Sequence, residues 1–418
     1  MVQKREVVVT GVGMVSPIGI GKQAFWQSLA EGRSGIVRRG MFPGRDWAFD
    51  IGGLIQDFDG KQYVKPRKAI KVMCRPIQFG YSSAFLAMED AGIEKGGVDP
   101  DRLGVVFGGE LYYCELEEFE DTYRHCLEDG EFHFDRWAKS AMRDLYPLWM
   151  LKHLPNMTAC HVGIAFDARG PCNTITLSEV SGSLALIECS AIIERGRADV
   201  MIAGGSGERT NPTPMVYRGM ANLSHRIYDP TGACRPFDAN RDGMVIGEGA
   251  ASIVLESRDH ALNRGANILA QVKGFARTQQ TGGEPAGGAI RRSIALALED
   301  AGLKASDIGY VNAHGLSTVN EDLVEAQAIH DVLGDTPVTA PKSFFGNLGA
   351  GGGAVEMAVS LLGLAHGVAP FTLNYETPDP ACPVKVIAGE LKKNPQGAVI
   401  ALNQTYTGQA TAVILTAT

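Results

Sequence analysis

The order of local patterns along the chain constrains its fold more than any other feature, because strand, glycine turn and helix follow one another in two successive rounds. Val7–Thr10 is a β-branched run that ends in the glycine-punctuated stretch Gly11–Gly19, and Gln23–Ala30 then takes helical spacing. Gln78–Ala91 reads as a helix, Arg102–Gly109 as a strand ending in two glycines, Thr174–Leu177 as a strand, Val180–Gly196 as a helix, and Asp199–Gly205 and Ala250–Leu255 as strands. After Glu256 the pattern starts afresh: strand Ile268–Phe275, helix Ala289–Ala301, strand Ile308–Asn312, helices Asn320–Leu333 and Ala354–His366, and a closing strand pair, Gly397–Leu402 with Ala412–Leu415. The order β, α, β, α, β, β thus occurs twice. It predicts an α/β protein of two similar halves, residues 1–256 and 257–418, with an acidic and aromatic insertion over about 110–160 that would serve as a cap or subunit contact.

At 418 residues and 45% hydrophobic content, the chain has the apolar material for a large core. A net charge of −8 gives no global field that would attract nucleic acid, though a local basic patch can still receive an acidic protein. Lys65–Arg75, which contains Arg67 and Lys68, is such a patch; it reads either as a solvated helix entrance or as a docking site. The eight cysteines form no C-x-x-C pair and no His/Cys metal spacing, so free thiols and no metal site are expected. The longest apolar stretch, Ala354–Ala369, is broken by Glu356 and His366, so no membrane insertion is expected; without a signal-like start, the default expectation is a cytoplasmic location.

Four stretches end in small or glycine-rich turns that carry polar groups, and in open α/β sheets such strand ends are where sites assemble. Ser178-Glu179 lies on a strand-to-helix turn, at the positive end of a helix dipole, where an anion is stabilised. In Val311–Asp322, His314 stands between alanine and glycine, with Asp322 and Glu325 on the next helix placed to bias its charge. Pro341–Glu356 brings Lys342 and Asn347 before a glycine turn that fits neither the Walker pattern nor G-x-G-x-x-G. The fourth, Asn403–Gln409, is a polar loop between the closing strands and includes Thr407.

Together these stretches resemble the elongating β-ketoacyl-acyl carrier protein synthases of the thiolase superfamily, along essentially the whole chain. The most specific segment is Arg235-Pro-Phe-Asp-Ala-Asn-Arg-Asp-Gly-Met-Val-Ile-Gly-Glu-Gly249, supported by the opening VVVTGVGMVSPIG, ADVMIAGG, NAHG, and the Lys342-Ser343 pair before Gly346. The resemblance implies a thiolase-like, five-layered αβαβα fold of two pseudo-duplicated halves and a dimer. It implies no cofactor held by the chain itself, since acyl and malonyl groups arrive on the phosphopantetheine of an acyl carrier protein that Arg67 and Lys68 would contact. It also implies that the nucleophile position, a cysteine in the family, holds Glu179. The first histidine corresponds to His314, the lysine to Lys342, the second histidine position to Asn347, and the gating loop to Tyr406–Gln409. Leu316 stands in place of the usual threonine.

A thiolate forms an exchangeable thioester, whereas a glutamate would form a mixed anhydride that water destroys, so ordinary condensation by this chain alone is not expected. Cys172, seven residues earlier in the entering strand, reads as a structural thiol rather than a substitute. Three roles stay open: a chain-length-factor-like partner of a Cys-containing ketosynthase; a malonyl-carrier decarboxylase or other acyl-thioester enzyme using His314, Asn347 and Glu179; and a carrier-docking protein acting alone; the dimer is either a homodimer or a heterodimer with a Cys-containing ketosynthase. In the first role, Glu179 would be held ionised by the helix end and by His314 or Lys342. For the second, repulsion between Glu179 and a malonyl carboxylate, on the order of 4 kcal/mol at about 4 Å, weakens binding.

Overall fold

The computed structural model describes residues 4–40, 46–211, 213, 222–394 and 397–418. The principal strands are β1 (Val7–Ser16), β2 (Leu103–Gly108), β3 (Cys172–Ile175), β4 (Val200–Glu208), β5 (Ile246–Ser257), β6 (Ala270–Gln279), β7 (Tyr310–Asn312), β8 (Pro337–Thr339), β9 (Ala398–Gln404) and β10 (Gln409–Thr416). The helices that cover them are α1 (Arg75–Asp90), α2 (Met157–Phe166), α3 (Ser181–Glu194), α4 (Gly288–Ala301), α5 (Val319–Leu333) and α6 (Gly352–Ala365).

Strand order is β8-β7-β9-β10-β6-β1-β5-β4-β2-β3. Moving outward from the centre, β1, β5, β4, β2 and β3 pair antiparallel, antiparallel, parallel and parallel. β6, β10, β9, β7 and β8 follow the same sequence of pairings. β1 and β6 themselves pair antiparallel at Val7–Val9. The correspondence extends to a local irregularity. The register of β1 against β5 slips between Val9 and Gly11, and that of β6 against β10 slips between Val272 and Gly274. At each slip the strand passes directly under a helix: a Cβ on Gly11 would lie 2.3 Å from the carbonyl of Ala87 in α1, and one on Gly274 would lie 2.7 Å from that of Ala297 in α4.

Side-chain pattern sets the layers. α1 and α2 pack with β2 and β4 into one apolar cluster, α4 and α5 pack with β7, β9 and β10 into another, and the nearly uniformly apolar α3 and α6 share the central cluster between the two sheet regions. α3 and α6 approach closely at Gly182, where a Cβ would meet the Ala354 nitrogen at 2.8 Å. β8 and α2 are absent from the expected elements. β8 is only three residues long, and α2 (MTACHVGIAF) is apolar on all sides, so neither carries a readable period. With them, the repeated order is β, α, β, α, β, α, β, β in the second half.

Residues 116–153 form short helical turns and a small hairpin, Leu127–Glu128 with Glu131–Phe132. Phe119, Tyr123, Trp137 and Trp149 cluster there, while Leu111, Phe134 and Met142 stay exposed. Among the described residues no helix is long and apolar enough to cross a membrane. All eight cysteines are free. Cys172 is exposed on the outermost strand β3 rather than enclosed within the sheet, because its strand has a neighbour on one side only.

Candidate active site

All four polar turns converge. β3 leads into a single helical turn, Ser178–Val180, and then α3, which sets Glu179 at the base of a cavity of about 1090 Å³ that opens to solvent. Ser178 takes a left-handed backbone (φ 54°), unusual for a residue with a side chain. The turn is braced by Ser181, whose hydroxyl donates to the Ser178 carbonyl at 2.7 Å and accepts from the Leu177 N–H at 2.8 Å. Ser178 Oγ in turn accepts from Arg209 Nη2 at 2.9 Å.

Glu179 is 6% exposed and ionised. Burial alone would push its carboxyl up, but the Arg209 guanidinium outweighs burial and holds it well below the usual carboxylate range, at about 2. Arg209 Nη2 lies 3.0 Å from Glu179 Oε1, which also accepts from Asn347 Nδ2 at 3.2 Å. The same guanidinium faces a second acid, Glu110, with Nε 3.2 Å from its Oε2. Burial pushes Glu110 up to about 7 against the pull of Arg209. Arg209, which the sequence motifs did not single out, is thus the principal partner of Glu179; His314 adds a smaller favourable contribution, and Lys342 pairs with Glu356 instead. The signal for Arg209 was available: Glu208-Arg209 closes an otherwise apolar and glycine-rich strand, and charges at such a position are buried and must find partners.

His314 follows β7 and is 1% exposed. Burial, reinforced by the nearby Lys342 ammonium, holds it well below its usual value, so the ring is neutral. Lys342 is equally buried; its Nζ donates to the His314 carbonyl at 2.7 Å, approaches Nδ1 at 3.1 Å and ion-pairs with Glu356, which accepts from Asn403 Nδ2. Asp322 and Glu325 act differently from the charge-biasing role expected of them. Glu325 accepts the backbone N–H groups of His314 and Gly315 at 2.7 and 2.8 Å, and Asp322 accepts those of Leu316 and Ser317 at 3.0 and 3.1 Å. Both bind the loop's backbone instead of the imidazole, because α5 begins directly beneath it. Burial raises both acids, to about 8 for Glu325 and about 6 for Asp322, against the donors they accept. The Arg235–Gly249 segment supports the same loop: Ser317 Oγ accepts from the Arg235 N–H at 2.9 Å, and Arg241 Nε donates to the Thr318 carbonyl at 3.0 Å.

Asn347 Nδ2 points to Glu179 and its Oδ1 accepts the Gly349 N–H at 3.0 Å; neither Asn347 nor Lys342 lines the cavity. Thr407 stands at the mouth, its hydroxyl donating to Gln409 Oε1 at 2.6 Å, next to the exposed Tyr406. Asn403 and Gln404 belong to β9, so the loop between the closing strands is shorter than expected. Arg67 and Lys68 are exposed on the turn Arg67–Val72 that enters α1, distant in sequence from these groups. Among the described residues no cluster of three or more His, Cys, Asp or Glu side chains could hold a metal ion.

The model of the β-ketoacyl synthase N-terminal domain matches residues 4–261, and that of the β-ketoacyl synthase C-terminal domain matches residues 269–376. The chain belongs to the β-ketoacyl synthase family. It is 35% identical to 3-oxoacyl-[acyl-carrier-protein] synthase 2 of Synechocystis sp., over 93% of this chain and 92% of that protein. Among solved structures it is similar to a β-ketoacyl synthase from Burkholderia phymatum (TM-score 0.89, 30% identity, covering 99% of this chain and 100% of that one). It is also similar to the ishigamide ketosynthase/chain length factor (TM-score 0.86, 25% identity, covering 99% and 100%). The fold is therefore the thiolase-like ketosynthase fold, and the chain is a β-ketoacyl synthase homologue of fatty acid or polyketide biosynthesis.

Proposed function

We propose that this chain is a non-condensing member of its family that receives an acyl chain and works beside a Cys-containing ketosynthase, in the manner of a chain-length factor. One observation carries the reading: the side chain at the strand-to-helix turn is a carboxylate, and Arg209 and Asn347 are both committed to it. By the family resemblance, Glu179 takes the place of the nucleophilic cysteine. An ionised carboxylate locked in this way is a poor nucleophile, and the acyl anhydride it would form does not survive water. The open cavity leading to Glu179 favours a chain that still contacts acyl groups over one whose site is merely filled. The name of the Synechocystis relative favours an acyl carrier protein as the partner that delivers them, with Arg67 and Lys68 as its contacts. The ketosynthase/chain length factor pair favours a heterodimer. The exposed Leu111, Phe134 and Met142 then belong to the subunit contact, and the two halves divide near residue 256.

A second reading, decarboxylation of malonyl-carrier, gains from Arg209. By neutralising Glu179 it removes much of the repulsion that a malonyl carboxylate would otherwise meet. It loses from Asn347, whose amide is already donated to Glu179 and so cannot join His314 in holding an enolate. The deciding experiment pairs the chain with a Cys-containing β-ketoacyl synthase and a loaded carrier. Elongation by the mixture, a stable heterodimer by light scattering, and no CO2 release by this chain alone are expected. CO2 release by the isolated protein that disappears in His314→Ala would replace this reading with the second.

A further inference from the structure

The insertion at residues 111–153, the cap, concentrates the apolar surface that the fold leaves uncovered. Ten of the eighteen exposed large apolar side chains among the described residues lie within 111–150. Three of them adjoin: Leu127 and Phe132 are cross-strand partners in the hairpin, and the Tyr123 ring lies 5.9 Å from that of Phe132. Apolar groups gathered in this way mark a contact surface, and charge decides what it can contact. Residues 115–135 hold nine carboxylates against one arginine, a net charge of −8 that equals the net charge of the whole chain. The cap's own cations are taken up within it: Arg124 pairs with Glu120, Arg136 with Glu128, Lys152 with Glu118 and Arg143 with Asp144. Glu117, Asp121, Asp129, Glu131 and Asp135 stay exposed, with no ion-pair partner among the described residues. Glu131 also stands directly across the hairpin from Glu128, a like-charge pairing that Arg136 offsets at Glu128 only.

The cap springs from the end of β2, where the Gly109 N–H donates to the Ile175 carbonyl of β3 at 3.0 Å, and β3 is the outermost strand of the sheet. Its charged surface therefore adjoins an open sheet edge, which is itself a template for another chain. Two copies of this chain joined across that edge would bring two surfaces of like charge into one interface. Resting on the heterodimer reading above, we propose that the cap chooses the partner by charge. It docks a non-identical subunit whose facing surface is apolar with an excess of lysine and arginine, and it holds off a second copy of its own chain. The exposed apolar side chains supply adhesion, which does not discriminate between partners; the free carboxylates supply the choice.

The test is sedimentation velocity of the full chain, alone and mixed with the Cys-containing synthase of the previous experiment, in about 50 and about 500 mM NaCl. Salt screens repulsion between like surfaces and attraction between unlike ones. Self-association of the wild type should therefore tighten by about tenfold or more at the higher salt, while the heterodimer should weaken by a similar factor. Glu117→Gln, Asp121→Asn, Glu131→Gln and Asp135→Asn together remove four exposed charges that touch neither the core nor the cavity. That variant should self-associate at low salt about tenfold or more tightly than wild type, lose most of both salt responses and bind the synthase more weakly. Self-association that neither salt nor the four substitutions tighten, beside a heterodimer that elongates normally, overturns the inference and leaves the chain-length-factor-like role standing. Failure of the wild type to form a heterodimer at either salt overturns that role and the inference with it.

Discussion

Replacing Arg209 by methionine tests the electrostatic account of this site most directly. The guanidinium is 3.0 Å from Glu179 and 3.2 Å from Glu110, and all three side chains are buried. At 3.0 Å and an effective dielectric near 20, attraction to Glu179 is about 5 kcal/mol. Losing one partner of a buried pair costs about 3–5 kcal/mol, because the other charge is left behind without compensation. With an unfolding entropy of about 2.1 cal/mol/K per residue, a chain of 418 residues should lose roughly 3–6 °C in Tm. In the wild type Glu179 is depressed to about 2, so its stabilising contribution is complete above its unfolded value and is lost only as pH falls through about 2. In Arg209→Met the largest opposition to burial is gone, the pKa of Glu179 rises above its ordinary value, and stability falls as pH rises. The variant should therefore melt higher at pH 5 than at pH 8 relative to wild type. Glu179→Gln in the Arg209→Met background removes the orphaned charge and should recover about 2 °C. Circular-dichroism melts of the wild type, Arg209→Met, Glu179→Gln and the double variant at both pH values give the answer; additive effects of the two substitutions, or a pH-independent loss, would refute the reasoning.

The remaining predictions concern neighbouring groups. Glu110 is raised to about 7, so its contribution to stability falls as pH climbs from its unfolded value through 7; Glu110→Gln should flatten the decline in Tm between pH 5 and 8, and an unchanged slope would remove Glu110 from the account. Glu179→Cys would place a thiol beside Arg209, and peptide mass spectrometry should find it alkylated by iodoacetamide at pH 7 ahead of the deeply buried Cys234, which burial pushes up to about 12; equal rates would mean that Arg209 does not act on the new thiol. Gly274→Val should destabilise by more than about 3 kcal/mol, since its Cβ would meet the α4 backbone at 2.7 Å or less, and Gly11→Val should do the same against α1; a fully soluble variant with unchanged Tm at either position would contradict the packing.

Much of the site was legible because it is written in short local patterns. Ser178-Glu179, His314 and Lys342 each sit at the end of a recognisable strand or at a glycine turn, and the four stretches do meet. What those residues touch was far less legible. Lys342 was a candidate partner for Glu179 but pairs with Glu356, and Asp322 and Glu325 hold backbone N–H groups instead of the imidazole. Side-chain partnership depends on which strand ends lie side by side, and neighbours in the sheet are far apart in the chain. Arg209 reaches Glu179 across 30 positions of sequence, and Lys342 reaches His314 across 28.

The sequence by itself determined the α/β class, the fact that the order of elements starts afresh after Glu256, and the presence of a carboxylate at the turn where α3 begins, because β-branched runs, glycine turns and helical periodicity act over a few residues. Only the tertiary structure decided that the carboxylate is ionised, that Arg209 is its counter-ion, and that Glu179 and His314 line one cavity. Those properties arise from burial and from distances near 3 Å between segments far apart in the chain, which meet only where the sheet regions pack on α3 and α6.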